Sequence, residues 1–110
     1  MSRFKHPLAV ASLCFIATLG WSIDALAATD TTKKIRDTGT IVVGYREAAM
    51  PFSYVDAQGK PIGYTVELCQ RAVELMKARL GLKELAIKWQ PVTFENRIPL
   101  VSNGTVDIEC

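Results

Sequence analysis

Apolar positions along this chain follow two rhythms, and each predicts a different element. Thr40-Ile41-Val42-Val43-Gly44-Tyr45 is a β-branched run without alternation, the pattern of a strand covered on both faces of a parallel sheet. Further on, Val66, Cys69, Val73, Met76 and Leu80 recur at spacings of three and four, one stripe along a helix. Gln70, Arg71, Glu74 and Lys77 lie off that stripe. Thr65 stands where a cap belongs, Glu67 lies near the positive end, Lys77 and Arg79 near the negative end, and Gly81 offers a left-handed stop. A helix is therefore predicted from 65 to about 80. Leu85-Ala86-Ile87-Lys88-Trp89-Gln90 predicts a second strand, ended by Pro91, which has no N–H for a ladder. Thr93 heads a shorter helix from Phe94 to about Ser102, closed by Asn103-Gly104. Thr105 to Cys110 begins a third strand.

Between the first strand and the long helix, Phe52-Ser53-Tyr54-Val55 and Ile62-Gly63-Tyr64 flank Asp56-Ala57-Gln58-Gly59-Lys60-Pro61, two extended pieces around a turn. Residues 28–39 are polar and predict a short leader onto the first strand, with a turn of helix at 33–37. Strands joined by helices imply parallel pairing with right-handed crossovers, hence an α/β class. The third strand is open where the sequence stops, and residues 28–110 bury only a modest core. The chain is expected to be the N-terminal part of a longer protein.

A third apolar run precedes all of this. Residues 8–21 are apolar, about 14 positions long, with Arg3, Lys5 and His6 before them and Ala25-Leu26-Ala27 after. These are the basic, apolar and small-x-small parts of a secretory signal, with cleavage expected after Ala27. Crossing a bilayer takes roughly 20 residues, and Asp24 follows the run closely, so an anchor fits less well. Cys14 lies inside the run behind Leu13, where a lipoprotein site carries a small residue, and is expected to leave with the peptide. The divisions are thus 1–27 signal, 28–39 leader and 40–110 domain.

Charge narrows the partners. The whole chain has 13 Lys plus Arg against 11 Asp plus Glu. Without Arg3, Lys5 and Asp24 the balance is near +1, which suggests neither nucleic acid nor an anionic membrane. Beyond the signal two cysteines remain, Cys69 and Cys110. In an oxidising compartment they form either a disulfide or two buried thiols.

Candidate chemistry is sparse. No histidine follows His6, and neither a Cys-x-x-Cys pair nor a phosphate loop is present, so no catalytic set, metal site or cofactor is expected. Gly44 suits a close backbone approach. Arg46 follows a buried strand at the end where open parallel sheets bind ligands, and Arg97 lies in the first turn of the shorter helix at the same end. A guanidinium grips a carboxylate through paired N–H donors, as an ammonium does not. The competing account pairs Arg46 with Glu47, and Arg97 with Glu95 or Asp107, as ordinary surface ion pairs. Trp89 and Tyr64 are expected in the core.

Five segments, in order, resemble one family: residues 40–47 (Thr-Ile-Val-Val-Gly-Tyr-Arg-Glu), Pro51-Phe52-Ser53-Tyr54, residues 63–69 (Gly-Tyr-Thr-Val-Glu-Leu-Cys), Asn96-Arg97-Ile98-Pro99-Leu100 and residues 103–110 (Asn-Gly-Thr-Val-Asp-Ile-Glu-Cys). They look like family 3 of the bacterial extracellular solute-binding proteins, in its glutamate/aspartate branch. The resemblance implies a periplasmic-binding-protein-like α/β lobe, a parallel-type sheet flanked by helices, of which only the first part is present. It also implies a soluble periplasmic receptor that closes on an acidic amino acid and serves an inner-membrane ABC permease. Arg46 and Arg97 fall where that branch contacts the ligand, chiefly its side-chain carboxylate. The main-chain grip, a Gly-Ser/Thr-Thr loop with arginine, would follow Cys110. Phe94 departs from the small residue, often serine, of related chains; directed into the cleft it alters specificity, and directed into the core it changes nothing. The same module also occurs in membrane-bound sensors and, among enzymes, in periplasmic dehydratases and lytic transglycosylases, so fold alone does not choose between them.

Overall fold

The computed structural model describes residues 26–110, with side chains from residue 31 onward. The expected signal run, its basic residues and Cys14 lie outside the described residues.

Helix α1 (Leu26–Thr38) leads into strand β1 (Thr40–Tyr45). The one turn expected at 33–37 is thus part of a longer helix, and Ile35 anchors it with no exposed surface. Gly39, at φ 64°, donates its N–H to the Ile35 carbonyl and turns the chain into the strand.

Two short strands, β2 (Ala48–Ala49) and β3 (Ser53–Val55), and then β4 (Pro61–Ile62), make an antiparallel sheet in that order. Asp56 shapes its turn by accepting from the N–H groups of Gln58 and Lys60, both at 2.9 Å. This is the predicted hairpin, with β2 added on the other side of β3.

Helix α2 (Tyr64–Arg79) follows. Thr65 does not cap it, contrary to expectation. Its N–H donates to the Phe52 carbonyl, and its hydroxyl, with one proton to share, lies within hydrogen-bond distance of the Phe52 and Cys110 carbonyls at 2.9 and 2.8 Å. The cap position falls two residues earlier, at Gly63 with φ 124°, where a Cβ would collide with the Phe52 carbonyl. The predicted stripe faces inward: Val66 and Val73 are buried, and Cys69, Met76 and Leu80 pack on the core. Tyr64 lies off the stripe and is exposed, not in the core.

Strand β5 (Ala86–Pro91), helix α3 (Arg97–Ser102) and strand β6 (Ile108–Glu109) complete the order. The main sheet runs β5-β1-β6, with both neighbours parallel to β1; Thr40 stands opposite Ala86 and Gly44 opposite Glu109. Pro91 does belong to β5, at its last position, because β1 does not need its missing N–H there; Val92 donates to the Tyr45 carbonyl instead. Helix α3 starts three residues later than expected, since residues 94–96 form a turn.

In the central strand Ile41, Val43, Gly44 and Tyr45 are buried, whereas Thr40 and Val42 are half-buried, so the cover its pattern predicts is complete on one face only. Ile41 and Val43 join Ile35 and Val73 in one fully buried cluster, with Trp89 packed against it. Each such side chain contributes about 1.5–3 kcal/mol of burial. Gly44 is hemmed in by the buried side chains of Val92 and Val106, which an added Cβ would approach to 3.2 and 3.0 Å. The room at Gly44 is what lets those two valines close over β1.

Candidate functional site

Three parallel strands end side by side, at Tyr45, Pro91 and Glu109, and the residues just beyond them form the candidate site. Crossover topology leaves such ends free of hairpin turns, so loops there present side chains to a ligand.

Arg46 directly follows β1. Its backbone is held on both sides by the buried Ser53: the Arg46 N–H donates to Ser53 Oγ at 2.9 Å, and the Ser53 hydroxyl donates to the Arg46 carbonyl at 2.8 Å. The residue is half-buried, and among the described residues no ion pair or hydrogen bond to its guanidinium is present. Sequence reasoning passed over Ser53, although it sits in the Pro-Phe-Ser-Tyr segment.

Arg97 is delivered by a turn that closes on itself. Thr93 N–H donates to Asn96 Oδ1 at 2.7 Å, Asn96 N–H donates to Thr93 Oγ1 at 3.2 Å, and Arg97 N–H donates to the Thr93 carbonyl at 3.1 Å. The guanidinium lies 5.3 Å from the centre of the Phe94 ring, a cation–π contact. Its Nη1 is 3.6 Å from Glu109 Oε2. Its Nε is buried without a hydrogen-bond partner, an expensive condition for a charged donor. Neither Glu95 nor Asp107 pairs with Arg97; Asp107 is taken by Lys34 at 2.8 Å. Phe94 is 64% exposed and so lies outside the core.

Electrostatics tie the two arginine loops together. The Glu95 carboxyl is held below the ordinary carboxylate range, first by the Thr93 hydroxyl, then by its own backbone N–H, with the charge of Arg46 adding to the effect. Tyr45, at the end of β1, has its phenol pushed up by burial and then by the charge of Glu47. Its ring meets Trp89 edge-on at 6.0 Å. Positive charge from two arginines at one rim suits a small anion, and the exposed Phe52 and Phe94 offer apolar surface beside it.

Cys69 and Cys110 are joined, with Cα atoms 6.4 Å apart. Cys110 N–H donates to the Gly44 carbonyl at 3.0 Å, so the segment after β6 is fastened to both α2 and β1. Among the described residues no group of three His, Cys, Asp or Glu could hold a metal ion. A shallow depression between α2 and β5, lined by Glu67, Gln70, Arg71, Glu74, Leu75 and Ile87, shares no residue with the arginine rim.

Against known proteins, the model of the bacterial extracellular solute-binding proteins, family 3, matches residues 41–110. An L-glutamate/L-aspartate-binding protein of Pseudomonas aeruginosa is 47% identical over 105 residues, covering 94% of this chain and 35% of that one. A glutamate/aspartate import solute-binding protein of Escherichia coli is 44% identical over 111 residues, covering 100% and 37%. Among solved structures, domain 1 of the T. maritima arginine-binding protein in an arginine-bound form matches with a TM-score of 0.55 at 25% identity, covering 68% of this chain and 53% of that one. The chain thus spans about a third of the length of the curated relatives it matches.

Proposed function

The chain belongs to the bacterial extracellular solute-binding proteins, family 3, and from that premise we propose that it opens the first lobe of a periplasmic receptor for glutamate or aspartate. The observation that carries this reading is the pair of guanidiniums at the carboxyl ends of the parallel strands. Arg46 has its backbone fixed and its guanidinium without an ion pair among the described residues, feeling only the charge of Glu95, and Arg97 has a buried Nε in want of an acceptor. A dicarboxylic amino acid supplies one carboxylate for these forks and keeps the other for the rest of the protein.

In this reading the protein is a receptor and not an enzyme. Closure of two lobes about a hinge buries the ligand, and an inner-membrane ABC permease takes it from the closed form. Export is by a signal peptide cleaved after Ala27, which delivers Cys69 and Cys110 to a compartment where their bond persists. Phe94 lines the ligand space through its stacking on Arg97, and so limits ligand size at that point.

The test is a thermal-shift panel on the intact gene product, since a ligand that binds only the folded state raises its melting temperature. Glutamate and aspartate are expected to raise it and the other amino acids to do so weakly or not at all. Equal response to lysine or leucine overturns the reading.

A further inference from the structure

Glu109 faces Arg97 at the rim. Its backbone pairs with Gly44 in the β6–β1 register, which sets it at the same end of the sheet as Arg46. Its side chain is 19% exposed and that of Arg97 35% exposed, so the pair is only partly screened by solvent. Yet Oε2 stays 3.6 Å from Nη1, beyond hydrogen-bond reach. Arg97 is attracted without being satisfied, and its Nε has no acceptor.

A guanidinium carries five N–H donors in a fixed fork. A carboxylate arriving in that geometry would make shorter, charge-assisted bonds than Glu109 makes here, and it would meet the negative charge of Glu109 on arrival. We propose that Glu109 is an internal competitor for Arg97: it occupies the guanidinium in the ligand-free protein and must yield to the ligand's side-chain carboxylate. This inference rests on the reading of Arg97 as a ligand-binding residue. Glu109 thereby sets a threshold. A carboxylate displaces it through strong paired bonds, whereas the neutral amide of glutamine does not match the interaction it has to replace.

The experiment is calorimetric titration of the intact protein with L-glutamate and L-glutamine, wild type against Glu109→Gln. Removing the charge is expected to raise glutamate affinity by about two- to fivefold, the worth of a partly exposed ion pair. The gain for glutamine is smaller, because only glutamate also loses the repulsion. A residue that merely props the rim would, once changed, weaken both ligands alike. Glu109→Asp, which keeps the charge and draws it back by one methylene, serves as the second variant and is expected to give a lesser gain for glutamate. Unchanged or weaker glutamate binding in folded Glu109→Gln and Glu109→Asp proteins overturns the proposal. Wild-type protein that binds neither glutamate nor aspartate overturns the reading beneath it.

Discussion

Lys34 and Asp107, 73 residues apart in sequence, meet at 2.8 Å. The Asp107 side chain is 2% exposed, and its other oxygen accepts the Val42 N–H at 2.9 Å. One carboxylate thus joins the helix before the sheet, the central strand and the loop that enters β6. Asp107→Ala leaves that backbone N–H without its acceptor and the lysine without its partner. The expected cost is about 2–4 kcal/mol, read as a lower urea midpoint of the intact protein. A change within error would show that the carboxylate contributes no net stability.

The depressed Glu95 carboxyl gives a pH prediction whose direction follows from linkage. A group whose folded pKa lies below its unfolded value contributes stability that is complete above the unfolded pKa and disappears as pH falls through the folded one. The Glu95 contribution is therefore present at neutral pH and lost on acidification. Because the Thr93 hydroxyl is its main cause and Arg46 a lesser one, Thr93→Val is expected to move the Glu95 titration upward more than Arg46→Ala does. Carboxyl-carbon NMR titration measures both, and the reverse order would contradict the assignment of causes.

Linkage of Cys69 to Cys110 closes a loop with a sequence separation of 41. Constraining an unfolded chain over such a loop stabilises the fold by about 2–4 kcal/mol. The intact protein, unfolded without reductant, is expected to show no free thiol from Cys69 or Cys110, and Cys69→Ser to melt at lower temperature. Two titratable thiols would contradict the linkage.

What could be seen in the sequence was whatever local burial dictates. The run at 40–45 and the stripe Val66, Cys69, Val73, Met76, Leu80 each carry their own periodicity, so the central strand and long helix were legible, as was the parallel order that follows from alternation. Contacts between distant segments left no local trace. Thr65 has the chemistry of a cap, but its hydroxyl is spent on the Phe52 and Cys110 carbonyls, partners that only the folded chain supplies. Ile35 looked like an isolated apolar residue in a polar leader because its three neighbours in the buried cluster come from β1 and α2. At the rim, the positions of Arg46 and Arg97 followed from strand order, whereas Glu109 could not be matched to Arg97 without the β6 register. Tyr64 is exposed for a related reason: its aromatic character suggests the core, but it is the first residue of α2 and lies off the buried stripe.

The central claim is that Arg46 and Arg97 together bind the side-chain carboxylate of an acidic amino acid. Calorimetric titration of glutamate and aspartate into the intact protein, its Arg46→Ala variant and its Arg97→Ala variant tests it directly. The account predicts binding by the wild type and a loss of about 2–5 kcal/mol in each variant, the cost of truncating one partner of a buried charge pair. Absence of binding by the wild type, or unchanged affinity in both variants, would contradict it.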